Sequence, residues 1–376
     1  MKGWYGMNNK LKEIIINVGP QHPSTHGVLR LILKLDGEII KSCEPVVGYL
    51  HRGIEKMAET RSYLQYLPIV DRIDYLGGFF NSYVYCDCIE NMAEIEVPER
   101  AKYIRVLCME LNRIASHLLW LGTYLLDLGA SSPLFYAFRD RERILHIFEK
   151  LTGQRMMYNY FTFGGVREDI SKSILDEISE FVKDMPECID DYEKIITENP
   201  IFLSRTVNKG ILQKNKAIQY AITGANLRAS GMNLDYRKTN PYLVYEKLDF
   251  EPSSELTGDS YSRYKARIFE MRKSLEIVTQ CIYYLKVNGN AEFLNKSVKP
   301  INLNIVDKEY TSIVEAPRGL TTCTVKAGGK TPYRVKWRTA SYYAVQVLPE
   351  LVIESELADL MAIFGSLDVI LPEVDK

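Results

Sequence analysis

The sequence has few of the residues that most often bind metals or form disulfides: seven cysteines and five histidines among 376 residues. No C-x-x-C pair occurs, and an odd number of scattered cysteines is typical of a protein from a reducing compartment. The motifs G-x-x-x-x-G-K-[ST], G-x-G-x-x-G after a strand, G-x-S-x-G and H-E-x-x-H are also missing. These absences argue against nucleotide binding by the chain itself and leave it without a standard catalytic signature.

An excess of charge of either sign is absent too. Lys and Arg together number 47, Asp and Glu 48, for a net charge of −1, and no local basic patch occurs, so no nucleic-acid partner is expected. The N-terminus MKGWYGMNNKLKE has no apolar segment, and the longest stretch without charged residues, 14–29, contains two His and two Pro. The sequence therefore predicts neither a signal peptide nor a transmembrane helix.

The composition is that of an ordinary folded protein, with 46% hydrophobic and 25% charged residues. Residues 13–43 alternate in polarity, with Leu29, Leu31, Leu33 and Leu35 on one face and a turn at Asp36-Gly37, which predicts a small antiparallel sheet. The pattern then changes to the helical period until about residue 290. Strand patterns near 310–314, 321–326 and 333–337 follow, and after them helical patterns near 341–351 and 354–364.

These patterns predict an α+β fold in which a central helical bundle is flanked by a small N-terminal antiparallel sheet and a C-terminal α+β region. The expected boundaries are 1–52, 53–290 and 291–376. The clearest helix begins at Pro98 and runs toward Gly129, with an apolar stripe along one side. Further helices are expected at roughly 55–68, 71–91, 137–152, 172–196, 214–223 and 257–285.

The loop GPQHPSTHG carries two histidines, His22 and His26, four residues apart. On a helix this spacing would suit a metal, but Pro20 and Pro23 exclude a helix here, so a metal site is not favoured. Proline and glycine stiffen the loop and would hold an imidazole at a fixed place. An exposed surface turn is the simpler interpretation of the composition alone.

Two further residues are candidates for a functional site. Asp127 lies near the end of the long helix in the apolar segment WLGTYLLDLGA, where a buried carboxylate needs a partner or a proton. An exposed acid in the last helical turn is the alternative. Tyr75, in VDRIDYLGGFF, is by default one core aromatic among 25 tyrosines. Neither residue identifies a function by itself.

Seven segments taken together, in order and spacing, resemble the 49 kDa (D-type) family of subunits of proton-pumping NADH:quinone oxidoreductase, complex I. They are NVGPQHPSTHGVLRLILKLDGE, EPVVGYLHRGIEKMAE, VPERAKYIRVLCMELNRIASHLLWLGTYLLDLGA, PLFYAFRDRERIL, GGVRED, LRASGMNLDYRK and GGKTPYRVKWRTASY. The match extends from about residue 13 to the C-terminus. That family is similar to the large subunit of nickel–iron hydrogenases, whose metal is held by a cysteine pair near each end of the chain. Here VGYLHRGIEK and FGSLDVILPEVDK contain no cysteine.

The resemblance implies a hydrogenase-like fold whose vacated metal region forms part of a quinone cavity. Residue by residue, it implies that His26 and Tyr75 hydrogen-bond the quinone carbonyls and that Asp127 pairs with the histidine. It implies quinone as the substrate and no metal or cluster on this chain, since NAD and iron–sulfur clusters belong to partner subunits. The implied reaction is quinone reduction coupled to proton translocation.

The implied partners are the other complex I subunits, especially the one with the terminal [4Fe-4S] cluster, the 30 kDa-type subunit and the membrane subunits. The implied location is peripheral, on the cytoplasmic side of the inner membrane of a cell or an organelle. Two alternatives stay open at this point. One is a hydrogenase-like subunit of a ferredoxin-driven membrane complex, and the other is a scaffold paralogue that does not react with quinone.

Overall fold

The computed structural model describes residues 14–20 and 27–376, and the predicted α+β class is confirmed. The described part begins with an antiparallel sheet in the order β1-β2-β3: β1 (Ile14–Val18), β2 (Arg30–Asp36) and β3 (Ile39–Val46). Register pairs Asp36 with Ile39, so a two-residue turn joins β2 to β3. The four alternating leucines predicted to share a face are all buried. The N-terminal sheet was therefore predictable from polarity alternation alone.

Helices make up the central part of the chain, interrupted by one two-stranded ribbon. In chain order the elements are α1 (Ile54–Ala58), α2 (Tyr63–Val70), α3 (Gly78–Ala93), α4 (Glu99–Asp127), α5 (Ser132–Thr152), β4 (Phe161–Thr162), β5 (Gly165–Val166), α6 (Lys172–Ile196), α7 (Pro200–Thr206), α8 (Lys214–Gln219), α9 (Ala225–Ala229), α10 (Tyr236–Thr239) and α11 (Ser260–Val287). Short 3₁₀ turns cover Tyr245–Lys247, Pro300–Asn302 and Leu357–Asp359.

The long predicted helix is α4, which begins after Pro98 and ends at Asp127. Its predicted apolar stripe is buried, and the helix packs between α5 and α11. Almost every residue from Arg100 to Leu125 is buried, including charged ones. A helix buried on all sides lies at the centre of a large fold, so α4 is the element against which other parts of the molecule are positioned.

Several helix predictions were wrong in their bounds. The helix predicted at 137–152 begins at Ser132, and the one predicted at 354–364 begins only at Leu360, after a 3₁₀ turn. Two others differ because a side chain interrupts the pattern. The segment 55–68 forms two helices, because Ser62 and Gln65 make a capping box that starts α2 anew. The segment 71–91 becomes helical only at Gly78, because the Asp74 carboxylate accepts the Leu76 backbone N–H and turns the chain locally. Tyr75 therefore lies in a turn and not on a helix.

The C-terminal part contains a second antiparallel sheet followed by short helices, as predicted. Its elements are β6 (Glu309–Ala316), β7 (Gly319–Ala327), β8 (Pro332–Arg338), α12 (Ala340–Val352), α13 (Leu360–Ser366) and α14 (Leu371–Asp375). The sheet order is β6-β7-β8, so β6 and β8 are its edges.

Apolar residues form two main clusters. The first joins the helical bundle to one face of the β6-β7-β8 sheet. The second lies between β2, β3 and helices α12 to α14, so the N-terminal sheet packs on the C-terminal helices. The boundaries at 52/53 and 290/291 and the likeness to a hydrogenase large subunit stay predictions. Within the described ranges, no helix combines the length and the apolar character that crossing a membrane requires.

Candidate functional site

Tyr75 is half-buried in the turn between α2 and α3. The Asn112 side chain of α4 donates to the Leu76 carbonyl at 2.8 Å, which ties this turn to the middle of α4. The Asp74 carboxylate accepts the Leu76 N–H at 3.0 Å. A Cβ atom at Gly77 would lie 2.6 Å from Asp74 Oδ2 and displace that carboxylate. The local sequence DYLGG thus fixes the backbone that carries Tyr75.

A buried guanidinium, that of Arg318, holds the Asp74 carboxylate. Arg318 Nη2 donates to Asp74 Oδ1 and Oδ2 at 2.6 and 2.7 Å. Arg318 Nη1 donates to Ser116 Oγ at 3.0 Å and to Asp368 Oδ2 at 3.3 Å. All four residues are buried. Because charges buried this deeply need close partners to offset the loss of water, the cluster Asp74, Ser116, Arg318 and Asp368, hereafter the Arg318 cluster, has one defined geometry.

The backbone around Arg318 is held by a close approach of two glycines. Arg318 lies in the tight turn between β6 and β7, immediately before Gly319. A Cβ atom at Gly224, whose φ is +70°, would lie 2.5 Å from Gly319 Cα. Only glycine permits this backbone contact, which fixes the base of the turn that presents Arg318.

The Tyr75 hydroxyl is chemically suited to donate a hydrogen bond. Burial raises the pKa of the phenol above its ordinary value, and the negative charge of Asp74 raises it further, while Arg318 acts in the opposite direction. Tyr75 is therefore a neutral phenol at physiological pH. Its O–H group can therefore donate a hydrogen bond to a negative charge that develops nearby.

Asp127 is the last residue of α4 and is half-buried. The sequence allowed either a buried or an exposed carboxylate, and the exposure of Asp127 lies between the two. The Tyr75 turn contacts α4 at Asn112, and Arg318 contacts the same helix at Ser116; these two residues precede Asp127 by 15 and 11 residues. At 1.5 Å per residue, the Tyr75 turn and Asp127 are therefore roughly 20 Å apart along the axis of α4.

His26 lies outside the described residues, and so does His22, but the residue that follows His26 is described. A Cβ atom at Gly27 would lie 3.2 Å from Leu50 Cδ1 and 3.3 Å from Leu371 Cβ. The end of the GPQHPSTHG loop is therefore packed against the segment after β3 and against α14.

The segment 48–52 connects this point to the Tyr75 turn. The Asp375 carboxylate accepts the Gly48 N–H at 2.7 Å and the Leu50 N–H at 2.8 Å, and Arg52 donates to the Arg72 carbonyl at 2.9 Å. The two cysteine-free segments VGYLHRGIEK and FGSLDVILPEVDK thus touch each other. Within the described part of the chain, no cluster of three or more His, Cys, Asp or Glu has the arrangement of a metal site.

Glu373 of α14 is a second buried carboxyl near the Arg318 cluster. Its Oε1 accepts the Ser341 N–H at 2.7 Å. Burial and the negative charge of Asp74 raise the pKa of Glu373 to about 7, while Arg318 acts in the opposite direction. The carboxyl is largely protonated below this pH and largely ionised above it.

We expect Glu373→Gln to flatten the pH dependence of the free energy of unfolding. The folded state binds the Glu373 proton more tightly than the unfolded state, whose carboxyl titrates near 4.5. Its contribution to stability is complete below about pH 4.5 and falls as the pH rises through 7. From pH 5 to pH 8, the wild type should lose about 3 kcal/mol relative to Glu373→Gln, measured by denaturant unfolding. Equal losses in the two proteins, or a similar effect of the exposed-site variant Glu292→Gln, would contradict this assignment.

Sequence reasoning did not single out Asp74, Arg318 or Glu373. A signal existed for Asp74, which directly precedes Tyr75 and is followed by two glycines that permit close packing. Arg318 stands in a P-R-G turn between two strand patterns, where a surface charge is the ordinary expectation. No local pattern marks Glu373, because its environment is made by residues distant in sequence.

Comparisons with known proteins identify the family and the relatives to which the chain is similar. Residues 127–376 match the family model described as respiratory-chain NADH dehydrogenase, 49 kDa subunit. The chain is 47% identical over 367 residues to the D subunit of NADH-quinone oxidoreductase from Geobacillus thermodenitrificans, covering 97% of this chain and 99% of the relative. The corresponding protein of Geobacillus kaustophilus gives the same values, and that of Bacillus mycoides is 45% identical over the same shares.

Proposed function

Because the chain belongs to the family of 49 kDa subunits of respiratory-chain NADH dehydrogenase, we propose that it forms the quinone site of such a complex. Members of this family are subunits of an oxidoreductase. In this proposal the chain is active only within the assembled complex, where quinone receives electrons from an iron–sulfur cluster on a neighbouring subunit. NAD and the clusters are bound by the partners.

The proposal rests mainly on the way in which the turn that carries Tyr75 is held in place. A neutral phenol is presented by a turn that Asp74, Arg318 and Asn112 hold in place, and Gly27 brings the end of the histidine loop into the same part of the fold. A rigid donor suits a reacting quinone, because a donor that had to reorganise during the reaction would stabilise the developing negative charge less.

The reaction adds two electrons and two protons to the quinone, and negative charge develops on its two oxygens. We assign the Tyr75 hydroxyl as the donor to one oxygen and the His26 imidazole as the donor to the other. Asp127 would hold His26 in one tautomer and raise its pKa, so that the imidazole carries a proton to give. After donation, burial and the charge of Asp74 disfavour the Tyr75 phenolate, so the phenol regains a proton readily.

The proposal also covers the partners and the location of the chain. Its partners are the subunit with the terminal [4Fe-4S] cluster, the 30 kDa-type subunit and the membrane subunits, and no nucleic acid is involved. The chain would lie peripherally on the cytoplasmic side of the inner membrane of a cell or organelle. Quinone reduction would be coupled there to proton translocation.

Photoaffinity labelling of the assembled complex tests the location of the site. An azido-quinone is expected to label residues 71–78 or the segment 27–50 of this chain, and excess unlabelled quinone should suppress the label. Labelled peptides are identified by mass spectrometry. Competable labelling found only on other subunits would contradict the proposal, whereas labelling that excess quinone does not suppress would be nonspecific and would also fail to support it.

A further inference from the structure

The outer edge of strand β6 carries backbone groups that pair with no other strand. The Glu315 N–H and carbonyl point away from β7, because Tyr242 Oη accepts the N–H at 3.3 Å and Arg113 donates to the carbonyl at 2.6 Å. In an antiparallel strand this orientation recurs every second residue, so the N–H and C=O groups of Thr311 and Ile313 point outward as well. Among the described residues, none hydrogen-bonds to these groups.

A cavity of about 670 Å³ lies along this edge. Strand β6 forms one wall, α3 another, and the segments 95–102 and 236–243 complete it. Four tyrosine rings line it, and two of them, Tyr83 and Tyr242, are stacked with their centroids 5.4 Å apart. Aromatic faces of this kind attract cations.

The charge around the cavity is negative. Glu90 is neutralised by Arg105, whose Nη atoms lie 2.9 and 2.6 Å from its carboxylate oxygens. Asp87 instead accepts from the Asn91 amide at 3.2 Å, and no described residue forms an ion pair with it. Glu96 also lacks an ion-pair partner among the described residues, and Lys102 is the cation in the lining that no such residue neutralises. A second cation therefore fits the cavity electrostatically.

We propose that an extended segment of a neighbouring subunit pairs with the outer edge of β6 and places a lysine or arginine side chain in this cavity, beside Asp87. The added strand would satisfy the outward groups of Thr311 and Ile313, and its alternate side chains would point toward the cavity. The proposal rests on the proposed function only in that the chain must be a subunit of a complex. It does not depend on the quinone chemistry.

Site-specific photocross-linking in the assembled complex tests this surface. The photoreactive residue p-benzoylphenylalanine replaces Tyr310, which lines the cavity, or Tyr333, an exposed tyrosine of the opposite edge strand β8. We expect position 310, and not position 333, to cross-link to one segment of another subunit that contains Lys or Arg within two residues of the cross-link. A cross-link to a second copy of this chain, or none in an intact complex, would overturn the proposal.

Three substitutions identify the contacts. Thr311→Pro removes the outward N–H while the ladder with β7 is retained, because that N–H does not pair with β7, whereas Thr311→Val keeps it. We expect Thr311→Pro and Asp87→Asn each to lower the cross-link yield at position 310 at least tenfold, and Thr311→Val to leave it unchanged. Wild-type yield in Thr311→Pro would rule out strand addition. Quinone reductase activity of the same preparations reports separately on the proposed function.

Discussion

Tyr75→Phe is expected to lower quinone reduction by the assembled complex about 100-fold or more, because a positioned proton donor contributes about 10² to 10⁴ in rate. The substitution removes one hydroxyl oxygen from a half-buried ring and keeps the ring itself. The turn is held by hydrogen bonds of Asp74, Arg318 and Asn112 that do not involve that hydroxyl. The complex should therefore assemble normally, as checked on a native gel, and lose turnover with a soluble quinone.

Tyr63→Phe is the matched control for this experiment. Tyr63 is a fully buried tyrosine, and its hydroxyl makes a long contact of 3.4 Å with the Thr331 carbonyl on the side of the bundle that faces β8. Its activity should equal that of the wild type. Full activity of an assembled Tyr75→Phe complex would favour the scaffold alternative, in which the cavity is retained and does not react with quinone.

The parts of the fold that follow from local periodicity were predictable. The alternating leucines of β2 and the apolar stripe of α4 are buried, and burial of a periodic apolar pattern is a strong and simple signal. The helix prediction for the segment 71–91 was wrong in its bounds for a different reason. Its apolar residues are buried on all sides, so periodicity did not show that the Asp74 side chain ends the helical pattern and forms a turn at Tyr75.

The candidate site residues were harder to predict from the sequence. Tyr75, His26 and Asp127 were assigned roles by resemblance. Their residue types alone favoured a core aromatic for Tyr75 and a surface turn for His26, and left Asp127 open between a buried and an exposed acid. Arg318, which orients the turn of Tyr75, is 244 residues away in sequence from its partner Asp74. A buried ion pair between such distant positions leaves no local pattern, since either residue by itself resembles a surface charge.

The largest effect on stability is expected for Arg318→Met, which should destabilise the folded chain by about 3–5 kcal/mol. The side chain is replaced by one of similar length, but Asp74 and Asp368 lose their shared guanidinium while they remain buried. The cost comes mainly from Asp74, because Asp368 keeps an ion pair with Arg267 Nε at 3.8 Å, and much less from lost packing. Denaturant unfolding of the purified chain measures the difference, and assembly into the complex should fall in parallel.

Arg334→Met provides the control, because Arg334 is half-exposed and pairs with Glu55 and Glu59 at 3.4 and 3.2 Å on the surface. Exposed pairs contribute about 0–1 kcal/mol, so this variant should unfold nearly as the wild type does. Adding Asp74→Asn to Arg318→Met should recover part of the loss, since the amide keeps an oxygen for the Leu76 N–H and removes one buried charge. If the double variant is no more stable than Arg318→Met, the loss arises from packing and not from charge.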